Sequence, residues 1–141
     1  MIISGRTDPG KVRPVNEDSY LIMTNRHEDI LAVVCDGIGG SAAGEEASRI
    51  AVKTMSDSFR KCPEFAHDYE VDSWLRQVLH KANDQIYSRS MKSKKVRGMG
   101  TTAVGVLIRQ AAASRWIRFC PHRCGTHARH PERWSVCSAG C

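Results

Sequence analysis

The sequence contains no long apolar run, no recognisable secretory signal, and no aspartate or lysine in residues 110–141. A membrane-spanning helix needs about 20 consecutive, predominantly apolar residues, and none of the apolar runs approaches that length. The first residues, MIISGRTDPGK, lack the basic-then-apolar order of a secretory signal. We therefore expect a cytoplasmic protein that does not associate with a membrane.

The 141 residues leave room for one domain and little more, and the formal net charge is +6. Residues 1–109 carry 16 Lys and Arg against 14 Asp and Glu, whereas residues 110–141 carry 5 Arg against 1 Glu. The basic excess therefore belongs mostly to the C-terminal segment and does not form a patch on the main body. Because such a patch is the usual mark of nucleic-acid binding, we expect no nucleic-acid partner.

The hydrophobic pattern predicts four strands and two helices in the α+β class. The runs MIISGRT, SYLIMTN, ILAVVC and MGTTAVGVLI have the composition of strands. The run ILAVVC, which is followed directly by Asp36, is continuously apolar, as is typical of a fully buried strand. Apolar residues at helical spacing predict helices over residues 44–59 and 71–90. Since strands and helices cluster separately along the chain, α+β is favoured over alternating βαβ units.

Carboxylates stand at two of the predicted strand ends. Glu17 and Asp18 precede one strand, and Asp36 ends the buried run, where Gly37 follows it directly. A carboxylate beside a buried strand is costly unless it is paired or binds a cation, and Mg²⁺ and Mn²⁺ prefer oxygen ligands. Asp-Gly is also the commonest turn dipeptide, so a plain turn is the competing interpretation of this pattern.

Three stretches together resemble the protein phosphatase 2C family, the metal-dependent Ser/Thr phosphatases. They are TDPGKVRPVNED, VVCDGIGGSAAGEEAS and GMGTTAVGVLI, in the family's order, and the resemblance covers roughly residues 4–108. The family fold is a sandwich of two antiparallel β-sheets flanked by helices, which agrees with the predicted element order. The resemblance therefore implies that residues 1–109 are the N-terminal part of such a sandwich.

The resemblance also implies a role for each site residue. Asp36 matches the aspartate that bridges two metal ions, Mn²⁺ or Mg²⁺, and Gly37 matches the glycine whose carbonyl binds one of them. Glu17 and Asp18 match the acidic pair that holds metal directly or through water, and Arg13 matches the arginine that binds the substrate phosphate. The implied activity is hydrolysis of phosphoserine and phosphothreonine in proteins by metal-activated water, and we expect a monomer.

The family's later motifs are missing from this sequence. The Gly-Asp-Ser-Arg, Asp-Gly and Asp-Asn stretches, whose aspartates complete the metal site, do not occur after Ile108. We therefore expect weak metal binding and little phosphatase activity from this chain, a truncated form of the domain. An alternative is a non-catalytic module that binds phosphoproteins and keeps the role of Arg13.

Residues 110–141 form a tail of aberrant composition, rich in Arg, Cys and His. We interpret the tail as disordered and translated out of frame, because a one-base shift permits a strand typical of the family over Trp116–Gly125. The alternative is a genuine zinc site, in which Cys120, Cys124, Cys137 and Cys141 surround three histidines. Its two three-residue gaps between cysteines differ from the usual zinc spacing.

Overall fold

A computed structural model of the chain describes residues 2–12, 14–109, 115–119 and 136–138. Its elements are β1 (Asp18–Thr24), β2 (Ile30–Ile38), α1 (Ser41–Phe59), α2 (Asp68–Ser90), a 3₁₀ turn (Lys94–Val96), β3 (Gly100–Thr101), β4 (Val104–Arg109), β5 (Arg115–Phe119) and β6 (Val136–Ser138). The described strands form an antiparallel sheet in the order β1-β2-β4-β5-β6, and β3 pairs with the end of β2. The α+β class is thereby confirmed.

Strand β2 lies between β1 and β4 and divides its side chains between two environments. Leu31, Val33 and Cys35 are at most 2% exposed. Val34, one residue from Val33, is 56% exposed. Because successive side chains of a strand point to opposite faces, one face of the sheet is covered and the other is open within the described residues.

Helices α1 and α2 cover the buried face with the apolar stripes that the sequence predicts. The core contributed by the helices comprises Ala43, Ala47, Ala51, Met55, Phe59, Val71, Leu75, Val78, Leu79 and Ile86. Trp74 widens the stripe of α2, and its ring lies 5.8 Å from the ring of Phe59, centroid to centroid. Among the described residues, no helix is long and apolar enough to cross a membrane.

The prediction of a strand over residues 1–7 is wrong for residues 2–7, which are the part of this segment that the structure describes. Residues 2–7 have no strand conformation, and residues 3–7 line a groove together with residues of β1. Tyr20 donates its hydroxyl hydrogen to the Gly5 carbonyl at 2.9 Å, and a Cβ on Gly5 would stand 2.8 Å from the Tyr20 ring. The segment therefore contacts the open face of the sheet at Gly5, and β-forming composition alone did not reveal this.

The single strand predicted over Met99–Ile108 is interrupted at Thr102 and Ala103. The first part, β3, pairs with the end of β2 through Gly37–Thr101 and Ile38–Gly100, and the second part, β4, pairs with residues 30–34. Helix α1 begins at Ser41 and α2 at Asp68, each three residues before its predicted start. These differences arise from backbone pairing and capping, which hydrophobic periodicity does not report.

Two segments of the C-terminal tail are strands of the sheet. Strand β5 pairs with β4, and β6 pairs with β5. For these eight residues the structure has strand where the sequence predicts disorder. The other tail residues, including Cys120, Cys124 and Cys141 of the alternative zinc site, lie outside the described residues, and the shift in reading frame stays a prediction.

Candidate metal centre

Asp36 does not end strand β2, which continues for two residues to Ile38. The strand is longer than predicted because β3 pairs with Gly37 and Ile38, a contact between residues far apart in the sequence. The side chain of Asp36 is exposed, whereas its neighbour Cys35 is fully buried. The carboxylate therefore avoids the cost of burial by projecting from the open face of the sheet.

Asp18 is the direct partner of Asp36 across the β1–β2 ladder. Directly paired residues of antiparallel strands project to the same face, with Cβ atoms about 4.5–5.5 Å apart. Both side chains are exposed, and Asp18 lines a groove of about 540 Å³ over the open face. Because hard divalent cations prefer oxygen ligands, the two carboxylates offer a candidate pair of ligands on this face.

Glu17 lies beside this pair, at the entrance to β1. Its carbonyl accepts a hydrogen bond from the Gly37 amide at 3.2 Å. In an antiparallel strand the N–H and C=O of one residue point to the same side, so the Gly37 carbonyl also faces the segment before β1. The structure therefore brings together the backbone of Gly37, the residue Glu17 and the Asp18–Asp36 pair.

Thr101 and Thr102 fix the backbone of Asp36 from the opposite side. The Asp36 carbonyl accepts hydrogen bonds from the Thr102 amide and the Thr101 hydroxyl, both at 2.9 Å. The Asp36 amide donates to the Thr102 hydroxyl oxygen at 3.3 Å. Both hydroxyls are therefore hydrogen-bonded, and sequence reasoning did not reveal that they hold the candidate metal ligand.

Asn16 is a second positioning residue that sequence reasoning missed. Its carbonyl oxygen accepts a hydrogen bond from the Asp18 amide at 3.0 Å, and its amide nitrogen donates to the Thr7 hydroxyl at 2.7 Å. It thereby links the N-terminal segment to the start of β1. The available signal was an asparagine two residues before a strand, where such side chains commonly bond to the backbone.

The predicted site is only partly assembled. Among the described residues, no group of three or more His, Cys, Asp and Glu side chains is placed to hold a metal ion. Asp18 and Asp36 form a pair with Glu17 nearby, and Arg13 lies outside the described residues. The oxygen chemistry suits a hard divalent cation, but the described ligand set fits only one side of a site.

Cys35 and Cys62 do not add a nucleophile to the site. Cys35 is fully buried in the core, where it packs as a small apolar residue. Cys62 is 2% exposed, and burial raises the pKa of its thiol despite a hydrogen bond from the Asn25 side chain at 3.2 Å. A raised pKa disfavours the thiolate, which is the reactive form of cysteine.

Sequence comparisons identify relatives of the whole region that carries the site. Residues 11–120 match the sequence model of protein phosphatase 2C. The serine/threonine phosphatase stp of Listeria monocytogenes is 33% identical over 106 residues, which are 75% of this chain and 42% of that relative. The chain therefore spans less than half the length of this curated relative.

Solved structures share the fold. A bacterial serine phosphatase with an arginine-to-glutamate mutation superposes with a TM-score of 0.70 and 31% identity, over 81% of this chain and 51% of that one. The catalytic domain of the serine threonine protein phosphatase PstP, solved in complex with two manganese ions, superposes with a TM-score of 0.61 and 29% identity. This second match covers 81% of this chain and 44% of the other.

Proposed function

The chain belongs to the protein phosphatase 2C family, and we propose that it forms the N-terminal part of a metal-dependent protein serine/threonine phosphatase domain. The substrates would be phosphoserine and phosphothreonine residues of proteins, as the names of the relatives indicate for those proteins. The monomeric state and the cytoplasmic location expected from the sequence stay predictions.

The observation that carries this proposal is the direct pairing of Asp18 with Asp36 on the open face of the sheet. Two carboxylates at directly paired positions present oxygen ligands of the kind that a hard divalent cation prefers. The neighbouring carbonyl of Gly37 and the carboxylate of Glu17 would supply further oxygen ligands. PstP, which shares the fold, carries two manganese ions, so Mn²⁺ is the ion that we propose first.

Each residue has a distinct part in the proposed reaction. A divalent ion in such a site lowers the pKa of a bound water and stabilises negative charge on phosphoryl oxygens. Asp36 and Asp18 would hold the ion at the rim of the groove, and Thr101 would keep Asp36 in place. Arg13, by the family resemblance, would bind the substrate phosphate through its planar guanidinium group.

We further propose that this chain by itself binds Mn²⁺ weakly and turns over little substrate. The described residues supply no group of three or more ligands of the kinds that hold metals, so the ion would lack ligands on its other side. Hydrolysis of an aryl phosphate in the presence of Mn²⁺ tests this. Turnover close to that of a full-length relative would contradict the proposed impairment.

The site itself is tested by the Asp36→Asn variant, measured by Mn²⁺ titration of the chain. Mutating a residue that only hydrogen-bonds to a metal ligand typically lowers the affinity for the metal about 10–100-fold. Loss of a direct ligand should therefore lower the affinity for Mn²⁺ at least tenfold. Asp84→Asn, which changes an exposed carboxylate on α2, is the matched control and should bind Mn²⁺ like the unaltered chain. Equal losses in both variants would show non-specific binding to surface carboxylates.

Phosphopeptide-binding measurements on the same chain test the alternative, a non-catalytic role in binding phosphoproteins. It would show as binding of a phosphopeptide without turnover, abolished by Arg13→Ala and unaffected by Asp36→Asn. If phosphopeptide binding instead requires both Arg13 and Mn²⁺, the phosphatase interpretation is supported.

A further inference from the structure

The segment that joins α2 to β3 carries four exposed cations and no carboxylate. These cations are Lys92, Lys94, Lys95 and Arg97. The last acidic residue before them is Asp84, and the next one in the sequence is Glu132. The near balance of charge over residues 1–109 therefore conceals a local excess of positive charge, and we call residues 92–97 the basic loop.

The cations of the basic loop have no ion pair with any carboxylate among the residues that the structure describes. Arg89, three residues before Lys92, differs from them because its guanidinium pairs with the carboxylate of Glu46 on α1. Unpaired charges attract anions over a distance of about 8–10 Å in physiological salt. The basic loop therefore presents a positive charge that none of the described carboxylates neutralises by direct contact.

The backbone of the basic loop is held by buried side chains and by local hydrogen bonds. Val96 is 6% exposed and Met99 is fully buried. The Ser93 hydroxyl oxygen accepts a hydrogen bond from the Lys95 amide at 3.3 Å, and the Ser93 carbonyl accepts one from the Val96 amide at 3.2 Å. A surface that is ordered before binding loses less conformational entropy when a ligand arrives. The backbone of the loop is thus pre-organised to receive an anionic partner.

The basic loop leads into the strand that holds Asp36. A Cβ on Gly39, three residues after Asp36, would stand 3.0 Å from the Met99 Cα atom, so the end of the loop adjoins the end of β2. Further along, the Thr102 amide donates a hydrogen bond to the Asp36 carbonyl at 2.9 Å. Arg97 and Thr102 are five positions apart, so their Cα atoms are at most about 18 Å apart. The loop therefore lies within reach of a short peptide bound at the candidate site.

We propose that the basic loop binds the acidic flank of a phosphoprotein substrate whose phosphorylated residue lies beside Asp36. An extended peptide spans about 3.3–3.6 Å per residue, so an acidic residue about three to six positions from the phosphorylated one would reach the loop. Carboxylates and phosphates form strong charge-assisted hydrogen bonds with Lys and Arg. The proposal rests on the proposed function and deepens it, because it names acidic phosphoprotein segments as the substrate class.

The chemistry of the loop favours an acidic peptide over a nucleic acid. Residues 91–99 contain no aromatic side chain, whereas proteins that bind single strands typically stack the bases on aromatic rings. The cations also occupy one short turn and do not form a track along an element of the fold. A peptide flank with a few acidic side chains matches a surface of this extent.

Peptide binding to the complete chain tests the proposal, measured by fluorescence anisotropy without added metal. Two labelled peptides of equal length carry one phosphothreonine each, and one of them has glutamates at the third to sixth positions on both sides. We expect the acidic peptide to bind roughly threefold to tenfold more tightly at low salt, because exposed ion pairs are individually weak. The double variant Lys94→Gln/Lys95→Gln should lose most of this preference.

The double variant Arg60→Gln/Lys61→Gln is the matched control. It removes the same charge from two exposed side chains directly after α1, whereas the basic loop adjoins the turn before this helix. The ends of a 19-residue helix are about 28 Å apart, so the control should keep the preference for the acidic peptide. Equal losses in the two variants, or no preference in the unaltered chain, would overturn the proposal.

Two further results separate this proposal from the proposed metal site and from nucleic-acid binding. A preference that depends on Lys94 and Lys95 in a chain without specific Mn²⁺ binding would support the basic loop and contradict the metal site. Specific Mn²⁺ binding without the preference would do the reverse. A single-stranded oligonucleotide that binds more tightly than the acidic peptide, and is weakened by Lys94→Gln/Lys95→Gln, would overturn the assignment to a peptide.

Discussion

The two faces of the sheet differ in both packing and chemistry. On the face covered by α1 and α2, Leu31, Val33 and Leu107 are almost completely buried. On the opposite face, the paired residues Val34 and Val104 remain 56% and 45% exposed, in the same layer as the Asp18–Asp36 pair. One face therefore supplies stability, and the other presents the candidate ligands.

This difference explains how exposed carboxylates can be placed accurately. Asp36 cannot shift along β2 without moving Cys35 and Val33 out of the core, because a register slip transfers every side chain to the other face. The covered face thus fixes the geometry of the open face. The comparison predicts large stability effects on the covered face and effects on metal binding, not stability, on the open one.

The largest expected effect comes from Val33→Ala, compared with Val34→Ala one residue later. Val33 is 2% exposed, and removing two buried carbon atoms should cost about 2–3 kcal/mol, including the cavity that remains. Val34→Ala makes the same chemical change in the same strand at a position that is 56% exposed, and should cost about 1 kcal/mol or less. Urea unfolding of both variants measures the difference, and equal losses would mean that the two faces are not distinct.

The next effect comes from the end of β4, where Arg109 joins the sheet to the start of α2. Its side chain is 4% exposed and contacts Asp68 at 3.1 Å, and it also donates a hydrogen bond to the Phe65 carbonyl. Breaking a fully buried pair costs about 3–5 kcal/mol, but Asp68 is 28% exposed, so Arg109→Met should cost about 2 kcal/mol. The measurement is again the free energy of unfolding in urea.

Arg49→Met is the matched control for this prediction. Arg49 pairs with Glu45 at 3.6 Å on the exposed side of α1, and its side chain is 72% exposed. Exposed helical pairs of this kind contribute about 0.3–0.5 kcal/mol. A loss in Arg49→Met as large as that in Arg109→Met would show that the buried contact is not what stabilises this corner of the fold.

The covered face could be predicted from the sequence, because its signals are local. The apolar stripes of both helices and the strand over Ile30–Cys35 follow from local patterns within each element, and both are confirmed. The expectation that this strand is fully buried is wrong, because Val34 is 56% exposed. The open face could not be predicted in this way. Residues 2–7 have strand-like composition but form no strand, and Gly5 approaches the Tyr20 and Ile22 side chains, a contact that no local pattern encodes.

In the candidate site, too, local sequence patterns predict individual residues but not the contacts between distant parts of the chain. Asp36, Glu17 and Asp18 were found from carboxylates near strand ends and from the family resemblance. The extension of β2 to Ile38, which puts Asp36 inside the strand, depends on pairing with Thr101 and Gly100, more than 60 positions away in the sequence. The close approach of Gly44 to the Glu17 carboxylate likewise exists only once helix and sheet have packed. Sequence reasoning identified the candidate ligands and missed what holds them.

The smallest expected effect on stability concerns Glu70, whose side chain caps the start of α2. Its carboxylate accepts hydrogen bonds from the amides of His67 at 3.0 Å and Ala66 at 2.7 Å, and these bonds lower the pKa of Glu70 below its ordinary value. A carboxyl group whose pKa is lowered by folding stabilises the protein above its ordinary pKa, about 4.3 for glutamate. That contribution is lost as the pH falls through the lower pKa of the folded state.

Glu70→Gln keeps an acceptor oxygen and removes the charge. We therefore expect the variant to be slightly less stable than the unaltered chain at neutral pH, and the difference to vanish in acid below the lowered pKa. Thermal unfolding across this pH range measures the difference, with Glu64→Gln, an exposed carboxyl group in the same loop, as the control. A difference that persists unchanged into acid would mean that the amides of Ala66 and His67 stabilise the side chain without preferring its charged form.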